Sequence, residues 1–82
     1  MKQVKVVIGG KVWLMPRKQA HGLIQQIQAS VNVKNMLIAV ERDKTIILTR
    51  DSFGTKEELL KEIAAYNKRG FKCYHTESKV QV

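Results

Sequence analysis

The sequence predicts a small α+β domain of order β-β-α-β-β-α-β, an antiparallel sheet with two helices packed on one face. Three observations lead there. Alternating apolar residues flank a Gly9-Gly10 pair, two later apolar runs flank a polar tetrapeptide, and a stretch with helical apolar spacing follows each hairpin-like unit. The 82-residue chain is 44% hydrophobic and 27% charged, a globular balance that argues against disorder. Its length allows one domain, expected over 1–82 with a frayed polar tail at 77–82.

Val4, Val6 and Ile8 alternate with Gln3, Lys5 and Val7, the period of a strand. The two glycines then offer the positive φ of a type I′ or II′ turn, and residues 11–15 return as the second strand. That register places Val4, Val6, Ile8, Trp13 and Met15 on one face, expected as core. Lys5, Val7, Val12 and Leu14 fall on the other. Pro16 suits the first position of a helix running to about residue 30, with Ala20, Leu23, Ile24 and Ile27 as its apolar stripe. Residues 36–40 and 45–49 are apolar on both faces and read as a central hairpin around Glu41-Arg42-Asp43-Lys44, covered on both sides. Thr55 and Glu58 form a T-x-x-E capping box that starts the second helix. Leu59, Leu60, Ile63, Ala64 and Tyr66 supply its buried stripe. Lys68 and Arg69 match the negative end of the helix dipole, and Gly70 suits the left-handed stop, with Phe71 covering the end. A last strand over 71–76 completes the order.

Enzyme signatures are missing: the chain carries no phosphate-binding loop, no dinucleotide fingerprint and no nucleophile elbow. A non-enzymatic protein without a cofactor is therefore expected. Cys73, His75 and His21 give at most three ligands where a structural zinc site takes four, so no metal is expected, and Cys73 reads as a small buried residue. Glu57, Glu58 and Glu62 share a helix with Lys61 and are expected to be solvated. No apolar stretch is long enough to span a bilayer, and the first residues lack a signal-peptide pattern. With a single cysteine, these features lead to an expected cytoplasmic location and no membrane partner.

Charge carries the functional expectation. Fifteen Lys and Arg against seven Asp and Glu give a net charge of +8. Residues 1–40 contain Lys2, Lys5, Lys11, Arg17, Lys18 and Lys34 and no acid, a bias that points to a polyanion. On the first helix, Lys18, His21, Gln25 and Gln28 fall on one line opposite the apolar stripe. Lysine, histidine and glutamine can bond to phosphates or base edges. The expected function is thus nucleic-acid binding, to DNA or RNA, with the six bases on phosphates and His21, Gln25 and Gln28 toward bases. Trp13 is expected in the core, and Tyr74 beside Lys72 is the aromatic expected at the surface. Val7, Val12 and Leu14, left uncovered if both helices share one face, form a candidate interface for a homodimer or another protein. The alternative function is a regulatory or inhibitory protein that binds an acidic protein surface through that patch and its positive charge. A third reading puts a small anionic ligand at the N-terminus of the first helix, where Arg17 and Lys18 sit beside free N–H groups.

Overall fold

The computed structural model describes residues 3–30 and 35–76. Its elements follow the expected order: β1 (Gln3–Ile8), β2 (Lys11–Pro16), α1 (Arg17–Ser30), β3 (Met36–Arg42), β4 (Thr45–Ser52), α2 (Lys56–Lys68) and β5 (Lys72–His75). They form a small α+β domain with one five-stranded sheet in the order β2-β1-β4-β3-β5. No helix of the described residues is long and apolar enough to cross a membrane.

The first hairpin has the expected register, with Val4 opposite Met15, Val6 opposite Trp13 and Ile8 opposite Lys11. Gly9 at φ 55° and Gly10 at φ 83° supply the two positive angles of a type I′ turn. α2 stops as expected. Gly70 at φ 87° lets the Phe71 N–H donate to the Tyr66 carbonyl and its own N–H donate to that of Asn67, both at 3.0 Å. This is a Schellman stop, closed by edge-to-face contact of Tyr66 with Phe71. At the other end the Thr55 hydroxyl accepts from the Glu58 N–H at 3.2 Å. Glu58 reaches back to the Gly54 N–H, one residue earlier than the usual box.

Two expectations about the sheet are overturned. It is mixed, not antiparallel: β1 and β4 run parallel, with Val6 beside Ile46 and Val7 beside Ile47. Short turns dictate antiparallel pairing within each hairpin, whereas pairing between hairpins depends on where the α1 crossover delivers the second one. The helices also lie on opposite faces. Ala20 and Ile24 of α1 pack with Val4, Val6, Ile38 and Ile46, while Leu59 of α2 packs with Leu37 and Val40, flanked by Ile47. Successive strand residues point to opposite faces, so Ile46 and Ile47 mark the two sides. The cause is β3, whose residues from Met36 to Glu41 are all buried. Such a strand needs cover on both sides.

A register shift between Leu37 and Ala39 is common to both ladders of β3. It puts Ile38 and Ala39 on the same side and turns everything after it by one face. Glu41 therefore points toward α1.

Candidate nucleic-acid interface

Arg17 and His21 stand one turn apart on α1 and both reach the Glu41 carboxylate. Arg17 Nε lies 2.9 Å from Glu41 Oε2, His21 Nε2 lies 3.2 Å from Oε1, and the Tyr74 hydroxyl donates to Oε1 at 2.8 Å. The His21 and Tyr74 rings meet edge to face, with centroids 5.5 Å apart, and Lys72 Nζ lies 5.5 Å from the Tyr74 ring. The Glu41 side chain is only 7% exposed. Burial pushes its carboxyl upward, but hydrogen bonds from Arg17 and Tyr74, with the charges of Arg17 and His21, outweigh it and hold the group below its usual range. Tyr74 is pushed up to about 12 by burial and by its bond to Glu41. The cluster anchors α1 to β3 and β5.

The expected contact residues separate into groups. Arg17, Lys18, His21 and Gln25, with Gly22, line one open depression on α1. Gln28 instead donates to the His75 carbonyl at 3.1 Å and helps seat α1 on β5. Lys5 is exposed on the sheet face opposite α1, beside Lys44 of the β3–β4 turn, whereas Lys11 lies at the far end of the sheet, beside the β1–β2 turn. Lys2 and Lys34 lie outside the described residues. At the N-terminus of α1, Arg17 already has an anion, the protein's own Glu41.

Two aromatic expectations change. Trp13 is 52% exposed, not core, because the buried residues of α1 sit over β1, β3 and β4 and leave β2 beyond Met15 uncovered. Tyr74 is half-buried with its hydroxyl engaged, so its ring is not open for base stacking. Cys73 is half-buried in the α2-side cluster, and burial pushes its thiol upward. Val12 and Leu14 are 59% and 64% exposed and Val7 is half-buried. Their face is open because α2 covers the β3–β5 half of its side, not because both helices avoid it.

The topology also gathers bases that their positions in the chain keep apart. The start of α1, the β3–β4 turn, the end of α2 and the start of β5 meet at one end of the sheet. Arg17 and Lys18 come from the first, Arg42 and Lys44 from the second, Lys68 and Arg69 from the third, and Lys72 from the fourth. All seven are exposed. The Arg42 and Arg69 guanidiniums lie 5.8 and 5.5 Å from the Phe71 ring, which holds two like charges beside each other. Among the described residues two acids accompany them: Glu41, buried and paired, and Asp43, 4.0 Å from Arg42. Five of these seven bases belong to the second half of the chain, where nearby acids hide them in any count along the sequence. Comparison with known protein families, curated proteins and solved structures finds no match for this chain.

Proposed function

We propose that this chain is a small non-enzymatic protein that binds nucleic acid with the basic end of its sheet. The observation that supports it is the meeting of seven exposed bases from four segments at one end, where the acids among the described residues are a neutralised Glu41 and Asp43. Arg17 and Lys18 carry the site into the α1 depression, where Gln25 is exposed and can bond to a base edge. Phosphate contact would dominate affinity through counterion release. The lone cysteine fits the cytoplasm as the place of action.

Fluorescence anisotropy with labelled duplex DNA, single-stranded DNA and RNA across a salt series tests this. On duplex DNA, Lys18→Glu with Lys44→Glu should weaken binding sharply and make the salt slope shallower by about 0.9 for each phosphate no longer neutralised. Lys11→Glu, at the opposite end, should change little. Equal effects from the two ends, or unchanged binding by the double variant, would refute the assignment.

A second reading rests on the exposed Val12 and Leu14. Apolar residues side by side at a surface fit a regulatory protein that docks on another protein. Pull-downs with and without nuclease separate the two, since a directly bound protein survives digestion.

A further inference from the structure

Val12, Trp13 and Leu14 are consecutive on β2 and 59%, 52% and 64% exposed. Consecutive strand residues point to opposite faces, so a partner lying on one face could cover Trp13 or the pair Val12 and Leu14, not all three. A partner joining the sheet edge-on covers all three, and β2 is one of the two edge strands of the described sheet. The strand is six residues long, and its edge protections among the described residues, Lys11 and Pro16, stand at its two ends and leave residues 12–15 between them without one.

The backbone phase defines what can join. A two-residue hairpin closes on a hydrogen-bonded pair, here Ile8 and Lys11, so Val6 with Trp13 and Val4 with Met15 are also bonded pairs. Lys5 lies between them, and its N–H donates away from β2, to the Lys44 carbonyl at 2.7 Å. Val12 and Leu14, opposite Val7 and Lys5, therefore turn their N–H and C=O groups outward.

We infer that β2 pairs antiparallel with β2 of a second copy, centred on Trp13, to form a continuous ten-stranded sheet. In this register Val12 of each copy bonds Leu14 of the other, which satisfies every outward donor and acceptor of those residues. The register centred on Leu14 would oppose Val12 to Pro16, which has no N–H. Charge placement also fits a second copy. Lys11 faces Met15 rather than its own equivalent, and the two-fold axis sends the basic ends to opposite ends of the dimer. Trp13 meets its equivalent on the α1 side, and Val12 and Leu14 of both copies meet on the other. This holds whether or not the basic end binds nucleic acid.

The test is the molar mass of the full chain by sedimentation equilibrium from micromolar to millimolar concentration, with twice the chain mass expected at the upper end. Leu14→Pro removes an outward N–H and no bond to β1, so it should give a monomer with an unchanged circular dichroism spectrum. Leu14→Lys, at an exposed position, gives the same reading if the proline variant does not fold. Register is read by oxidation in a Cys73→Ser background. Trp13→Cys should form an intermolecular disulfide, since two-fold partners in a non-bonded pair lie ~4.5 Å apart at Cα. Val12→Cys should not, its equivalents being more than ~7 Å apart. A wild-type monomer throughout, a dimer that survives both Leu14 variants, or crosslinking at Val12→Cys in place of Trp13→Cys would each overturn the proposal.

Discussion

One carboxylate, Glu41, joins the first helix to two strands by accepting from Arg17, His21 and Tyr74. An amide there would keep one acceptor oxygen but lose the charge and turn an NH2 toward one of these groups, so Glu41→Gln should cost ~1–3 kcal/mol at neutral pH. Its lowered carboxyl also shapes the acid limb of stability. A group whose pKa is depressed on folding contributes above its unfolded value and loses that contribution as pH falls through the folded one. Tyr74 has the opposite sign: its contribution is complete below 10.0 and is lost as pH rises toward about 12. Melting temperatures across pH should therefore show an acid limb that Glu41→Gln flattens and an alkaline limb that Tyr74→Phe flattens. Identical curves for wild type and variants would remove the linkage. Nothing local in the sequence identifies this cluster. Glu41 sits beside Arg42, Asp43 and Lys44 in a run that reads as a solvated turn. Only the bulge after Leu37, which depends on pairing with β4 and β5, aims it at α1.

Among the elements, the ends of α2 were the most legible because their signals lie within a few residues of what they control, whereas Leu60 and Ala64 of its expected buried stripe are exposed. Thr55 bonds Glu58 three positions on, and Gly70 bonds a carbonyl three positions back. Gly70→Ala isolates one of these terms. An added Cβ would meet Arg42 Nε at 3.5 Å, an ordinary contact, so the cost is that of a side chain at φ 87°, ~1–2 kcal/mol. Urea unfolding of the variant measures it, and a loss below a few tenths would mean that the stop does not depend on glycine. The first hairpin was equally readable, since Gly9-Gly10 sets every opposed pair from Ile8 and Lys11 outward. The exposure of Trp13 was not. Periodicity told which residues share its face, but how far α1 extends over that face is set by its docking on β1, β3 and β4.

For the molecule as a whole, the arrangement of charge is the main result of folding. Among the described residues, seven exposed bases from four segments gather at one end of the sheet with little compensation, so that end repels itself. Added salt should raise the melting temperature of the wild type by screening this repulsion. The rise should be smaller in Lys18→Glu with Lys44→Glu, and a salt-induced fall in the wild type would count against a strained basic end. The acid-free stretch at 1–40 pointed to a polyanion but drew the boundary by position in the chain, so it included Lys11 at the far end and missed Arg69 and Lys72. By itself the sequence determined the number and order of strands and helices, the Gly9-Gly10 turn and the ends of α2, because these rest on periodicity, glycine conformation and capping over short separations, whereas Glu41 and Arg42, which read as turn, extend β3. Tertiary structure alone decided that β1 and β4 run parallel, that the helices take opposite faces, and that bases from four segments share one end. Those outcomes depend on burying both faces of β3 against partners distant in the chain, which no local pattern encodes.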